Sequence, residues 1–292
     1  MNFNEEYSSI KEFLSEELLK IENCMTGSIS VREPLRAFIL DFLKAPSKRI
    51  RPVLCILYLK ALGINITNQH YELFSAIELI HNASLVHDDI IDESTLRRAR
   101  KTLSSEFDNK LGVISGDYIL SVAMEKIISL NNFDILSRVI NTVKQMCIGE
   151  INQNFDRYKI GTIENYIEKS KNKTALLFET GLVSSLLLAA HKDIKQVSEF
   201  GLNFGIAFQI RDDLLNLLET DLTKPAQNDI TEGIYNAAVI YAQSVENYRE
   251  GIEKHSDLLN NYIKKAECNL AELSDNIYVQ KLKNILELLK NG

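Results

Sequence analysis

Two acid clusters hold the chemistry of this chain: Asp88-Asp89-Ile90-Ile91-Asp92 and Asp212-Asp213-Leu214-Leu215-Asn216. Each sits in a long apolar, helix-forming run, where a carboxylate is costly to bury without a partner. A helix turns about 100° per residue, so positions four apart share a face. Asp88 and Asp92 therefore point the same way, as do Asp212 and Asn216. Like charges at that spacing repel unless a cation sits between them. Two such pairs facing each other would hold hard divalent cations, which take oxygen ligands. Magnesium bound by few carboxylates keeps positions open for phosphate oxygens. A metal-bound diphosphate substrate is the expectation.

Helical periodicity must position these groups. Residues 5–24 read as an amphipathic helix with Ile10, Phe13, Leu14, Leu18 and Ile21 on one stripe. Residues 33–44 form a second helix. A third starts near Arg51-Pro52, where Pro suits the first turn, and ends at Gly63. The first acid cluster lies on a long helix at 69–94. Shorter helices follow to 111, then helical patterns at 116–130, 133–156, 173–191 and 195–219, the last carrying the second cluster. Residues 220–230, with Pro225, read as a loop. Helices at 234–253, 256–271 and 275–290 complete the chain. No segment has a convincing period-two pattern. The fold class is all-α, a bundle with its site between facing helices.

On the 69–94 helix, His81, Ser84, Asp88 and Asp92 fall within about 60° of one another, with Ile77 on the same stripe. That face is polar at its C-terminal end and apolar toward its start. It suits a ligand with a charged head and a hydrocarbon tail. Basic residues complement the acids: Lys48-Arg49-Ile50-Arg51 before a helix start, Arg97-Arg98 after Asp92, Lys173 beside Thr174, and Lys224. Together they describe a trough for two polyanions.

Composition narrows the class. The chain has 292 residues, 12 Gly and 4 Pro, with no linker-like stretch and no solenoid repeat, so one continuous domain over 1–292 is expected. A net charge of −7 argues against a general nucleic-acid binder. Cys24, Cys55, Cys147 and Cys268 lack metal-ligand spacing and read as reduced core thiols. The acidic N-terminus has no secretory apolar region, and the longest apolar stretch, at 181–190, is too short to span a bilayer. A cytoplasmic protein without a membrane span is the expectation.

The ordered motifs resemble those of trans-isoprenyl diphosphate synthases, the polyprenyl synthetase family. Residues 88–92 match the first aspartate-rich motif, DDxxD, within HNASLVHDDIIDESTLRR. KRIRP at 48–52, GDYIL at 116–120, GEINQ at 149–153, KTALLF at 173–178 and FQIRDDLLN at 208–216 match further segments in order, followed by Lys224-Pro225 and Asp229. The stretch 61–118 is most similar to bacterial medium- and long-chain synthases of the heptaprenyl type.

The resemblance implies an isoprenoid-synthase helical bundle around a deep cavity and a homodimer, with a heteromer as the alternative. It implies that Asp88, Asp92 and Asp212 coordinate Mg2+, or Mn2+ in its place, with Asp89 and Asp213 in support. Arg97, Lys173 and Lys224 would bind the allylic diphosphate. Lys48, Arg51, His81 and Arg98 would hold isopentenyl diphosphate, and Gln209 and Thr174 would act near the reacting carbons. Chain length would be set before the first motif. Ala83 and Ser84 are small, while Ile80 and Ile77 stand about 12 and 16 Å below the metal site as a partial floor. A product beyond farnesyl follows, in the range geranylgeranyl to octaprenyl.

The chain departs from the family pattern at Asn216, where Asp is usual, at Ala99, Lys101, Ser104 and Thr223, and in IYNAAV after Gly233. Two rival readings are a class I terpene cyclase and a non-catalytic subunit of a heteromeric synthase. A cyclase would need a Ser or Thr at Asn216 and a Glu at Thr220. It would have no use for Lys48, Arg51 and Arg98.

Overall fold

A computed structural model of the protein describes residues 3–98, 100–218 and 228–291. Ala99, Thr223, Lys224 and Pro225 lie outside the described residues. The described chain is almost wholly helical and forms two compact units. One comprises Ser9–Ser137 with Ser184–His191; the other comprises Arg138–Val183 and the chain from Lys192 onward, with the residues before Ser9.

The first unit holds α2 (Ser15–Gly27), α3 (Leu35–Lys44), α4 (Ile50–Ala61), α5 (Asn68–Ile91), α6 (Leu103–Glu106) and α7 (Asn109–Ser129). Nearly every residue of α4 is buried, as its all-round apolar sequence requires, and α5 packs along α7. Gly116 of α7 sits where a Cβ would come 2.2 Å from the His87 ring, so a larger residue there would displace that ring.

The remaining helices are α1 (Phe3–Phe13), α8 (Phe133–Phe155) and α10 (Leu176–Leu188), which run across the division, and α9 (Ile163–Ser170), α11 (Lys195–Leu218), α12 (Asn228–Thr231), α13 (Ala237–Ala242), α14 (Ile252–Leu270) and α15 (Ile277–Asn291) of the second unit. Phe178, Phe200 and Phe204 are fully buried there, with the Phe178 and Phe204 rings 5.3 Å apart, edge to face. Each such side chain contributes about 1.5–3 kcal/mol by burial. α14 packs along α11 and supports the second acid cluster from behind.

Several expected elements are interrupted. The helix expected at 5–24 breaks at Leu14, and Phe13, expected on the buried stripe, is exposed at the end of α1. The helix expected at 173–191 opens with a π-helical turn, Lys171–Ala175. The one expected at 234–253 divides into α13 and a 3-10 turn, Tyr248–Gly251, after Gln243 adopts φ 50°. The region 95–101 contains a short hairpin, β1 (Leu96–Arg97) with β2 (Arg100–Lys101), paired Leu96 to Lys101 and Arg97 to Arg100. Two residues per strand are too few to show a period-two pattern. All four thiols are free as expected, but Cys147 and Cys268 are exposed and not core residues.

Candidate active site

Within the first unit, α5 delivers the first acid cluster at its C-terminal end. Asp92 is the cap residue, its backbone N–H donating to the Asp88 carbonyl, so the two carboxylates stay one turn apart. Burial along the predicted stripe falls steadily: Ile77 is buried, His81, Ser84 and Asp88 are partly buried, and Asp92 is exposed. Asp89 points elsewhere. It is buried, and Arg97 from the hairpin donates to it at 2.5 Å. Burial raises the Asp89 carboxyl above the ordinary aspartate value although Arg97 pulls it down.

The same unit gathers the cations assigned to isopentenyl diphosphate. His81 is held neutral well below its ordinary pKa, first by burial and then by Arg51, Arg98, Arg97 and Arg49, all close enough to act on it. Arg51, in the first turn of α4, is buried, and burial lowers it to about 10, still charged at neutral pH. Arg97 is paired with Asp89 and Arg49 with Glu78, and with Arg51 and Arg98 added the balance around the uncharged imidazole favours an anion.

Within the second unit, α9, the π-helical turn and α11 converge. Thr174 donates to the Gln209 side-chain carbonyl at 2.6 Å, and the Gln209 amide donates to Asp213 at 2.8 Å. Tyr166 donates to the other Asp213 oxygen at 2.6 Å. Gly205 makes this contact possible: a Cβ there would lie 2.4 Å from the Ala175 backbone, so only glycine lets α11 approach the π-helical turn. Lys173, in the same turn, pairs with Glu150 of α8 at 2.8 Å. Asp212 and Asn216 are exposed one helical turn apart, as the spacing predicts.

Both motifs thus divide their labour alike. The second aspartate of each, Asp89 or Asp213, is buried and held by neighbouring donors. Asp88, Asp92 and Asp212 present carboxylates on the more exposed face. Among the described residues no three His, Cys, Asp or Glu side chains form a ready-made metal cage. The donor set is all oxygen, which suits a hard cation that completes its shell with diphosphate and water. Sequence reasoning missed Tyr166 and Glu78, and it named Arg49 only within the basic run at 48–51 and Glu150 only within GEINQ. A cavity of about 450 Å³ is lined by Tyr166, Lys169 and Tyr235, and by Gly149, Asn152 and Gln153 of the GEINQ segment, but by none of the residues assigned a catalytic, substrate-binding or metal role from the sequence.

The polyprenyl synthetase family matches residues 32–277, well over half of the chain and across both acid clusters. The chain belongs to the polyprenyl synthetase family. This synthetase is 34% identical over 246 residues to heptaprenyl diphosphate synthase component 2 of Geobacillus stearothermophilus, covering 82% of this chain and 77% of that one. It is 31% identical over 309 residues to the component 2 of Bacillus subtilis, covering 100% and 87%. The decaprenyl diphosphate synthase of Rhodobacter capsulatus shares its fold with TM-score 0.90 at 22% identity, covering 97% of this chain and 98% of that one. The synthetase is a trans-prenyltransferase: it extends an allylic diphosphate with isopentenyl diphosphate to a long polyprenyl diphosphate. No helix among its described residues is long and apolar enough to cross a membrane.

Proposed function

We propose that Asp88 and Asp92 in one unit, and Asp212 in the other, are ligands of the divalent cations that the allylic diphosphate requires, with Mg2+ as the natural ion and Mn2+ as a substitute. The observation that supports this reading is the division within each motif between a held aspartate, Asp89 or Asp213, and outward ones, Asp88 and Asp92 in the first motif and Asp212 in the second. When bound, the cation neutralises charge on the departing diphosphate. Arg97, Lys173 and Lys224 bind that diphosphate, and Lys48, Arg51, His81 and Arg98 hold isopentenyl diphosphate close to the reacting carbon. Thr174 and Gln209, joined by their hydrogen bond, stabilise the allylic cation. Apolar walls exclude water from that cation. Attack by the double bond is followed by loss of a proton, which the released diphosphate takes.

Product length is set on α5 in this reading. Ile77, Ile80 and Ala83 are buried and Ser84 is partly buried, so the tail passes the two small residues and meets the isoleucines. A product between geranylgeranyl and octaprenyl follows, with the longer half favoured by the heptaprenyl relatives.

The chain over 1–292 acts as a single catalytic domain, since the family match crosses both units. It works in the cytoplasm as a homodimer. Val113, Ile114 and Ile128 on α7 and Ile140, Ile148, Ile151 and Phe155 on α8 are exposed, apolar and suited to a second copy. The component 2 names of its relatives favour a second reading, in which a partner subunit completes the enzyme. Incubating the purified protein with farnesyl diphosphate, isopentenyl diphosphate and Mg2+ decides between them. Long-chain product from the lone chain supports the homodimer; product only after a partner is added supports the heteromer.

A further inference from the structure

Glu78 is buried in the middle of α5, within the apolar run AIELIH, one helical turn before His81. Its carboxylate receives Arg49 Nη1 at 3.2 Å, and both side chains are almost fully enclosed, 4% and 11% exposed. The same Arg49 donates through Nη2 to the Leu43 carbonyl at the end of α3, and its Nη1 rests 3.9 Å from Met25 Sδ. Its backbone is left-handed, φ 51° and ψ 35°, a conformation that a non-glycine residue holds only when its surroundings impose it. Arg49 is therefore a three-way tie between α3, α5 and the start of α4. Lys48 precedes it by one residue and Arg51 follows by two.

A buried carboxylate among these cations has a second effect. Glu78 also acts on Arg51 by charge, offsetting part of the desolvation of that buried guanidinium. Removing one partner of a buried pair leaves the other uncompensated, so the tie is rigid as long as both charges remain.

We propose that the Glu78–Arg49 pair positions the isopentenyl diphosphate cradle, fixing Lys48 and Arg51 opposite His81 without touching substrate. The inference rests on the assignment of Lys48, Arg51 and His81 to isopentenyl diphosphate. Both residues are positioning residues, and their loss acts on one substrate only.

The test is two-substrate steady-state kinetics on the full chain, or on the chain with its partner subunit if one is needed. Glu78→Gln raises KM for isopentenyl diphosphate about tenfold and leaves kcat and KM for the allylic diphosphate within about twofold. Glu78→Asp, which keeps the charge, recovers most of the affinity. Arg49→Gln in the Glu78→Gln background adds less than about twofold, since the two act as one unit. If the single variants fail to fold, Glu78→Met with Arg49→Met replaces the buried pair by apolar packing and restores the fold. That double variant still has the raised KM.

An unchanged KM for isopentenyl diphosphate in Glu78→Gln or in the double Met variant overturns the inference. So does an equal rise in both KM values. Lys48→Ala and Arg51→Ala are the controls for the underlying assignment. If they too leave that KM unchanged, the assignment itself fails; if they raise it while Glu78→Gln is silent, only the positioning role is lost.

Discussion

Tyr166 donates its phenolic proton to Asp213 across 2.6 Å, with both side chains buried. Burial and the adjacent carboxylate hold the phenol well above its ordinary pKa, so it remains a donor at any working pH. Gln209 fills the other oxygen of Asp213 and is itself held by Thr174. The network fixes the first turn of the second acid motif, which brings Asp212 outward. Asp213 thus takes donors from α9 and α11, and through Gln209 it is tied to the π-helical turn.

Tyr166→Phe keeps the ring and removes this donor. The expected cost is about 1–3 kcal/mol of stability, because a buried carboxylate oxygen loses its partner. kcat should fall about tenfold while KM for isopentenyl diphosphate stays unchanged. Urea denaturation and steady-state kinetics measure both. An unaltered kcat would separate Asp213 from the chemistry.

Ser84 and Ala83 differ in burial although both are small, and Ser84 lies on the stripe shared by Ile77 and Asp88. Ser84→Phe should therefore shorten the product most. Ala83→Phe should shorten it too, at a packing cost of about 1–3 kcal/mol. Ile80→Gly should lengthen it, with a loss of about 2–5 kcal/mol from the emptied core position. Chromatography of the dephosphorylated products reads all three. A product distribution unmoved by Ser84→Phe and Ile80→Gly would place the floor on another helix.

Asn216 is exposed one turn after Asp212, so it can offer a neutral amide oxygen where the family usually has a carboxylate. Asn216→Asp should shift the Mg2+ concentration for half-maximal rate and leave product identity alone. A wild type that is inert until Asn216→Asp is introduced would instead mark this chain as a non-catalytic subunit.

His70, His81 and His255 all have folded pKa values lowered chiefly by burial. The unfolded chain binds protons at these sites near pH 6.5, while the folded state refuses them. Stability is therefore full above that value and declines as pH falls through it, by up to about 1.4 kcal/mol per pH unit for each histidine. Urea midpoints should be level between about pH 8 and 7 and drop from about 6.5 to 5.5. A midpoint that rises on acidification would contradict the burial of these rings.

Much of the site was legible because helical spacing is a strong constraint. The stripe Ile77, His81, Ser84, Asp88 and Asp92 is a consequence of the 3.6-residue period, and its burial gradient follows from composition alone. The π-helical turn at Lys171–Ala175 was not legible, since one extra residue in a turn leaves the apolar pattern almost intact. The Tyr166–Asp213 bond spans 47 residues and leaves no local trace. Glu78 did leave one: a single carboxylate in AIELIH must find a partner or unfold its helix. Arg49 is that partner, though the sequence could not say which cation would arrive. The breaks at Leu14 and Gln243 are backbone events that apolar periodicity does not register.

The most direct measurement is turnover of Asp88→Ala and Asp212→Ala beside wild type, with farnesyl and isopentenyl diphosphates and saturating Mg2+. Each variant should keep its helical circular-dichroism spectrum and thermal midpoint. Asp88 is only partly buried and Asp212 is exposed, so the fold survives the loss of either carboxylate. Turnover should fall by about three orders of magnitude or more in both, with no long-chain product detected. Turnover within about tenfold of wild type in Asp88→Ala would contradict the account.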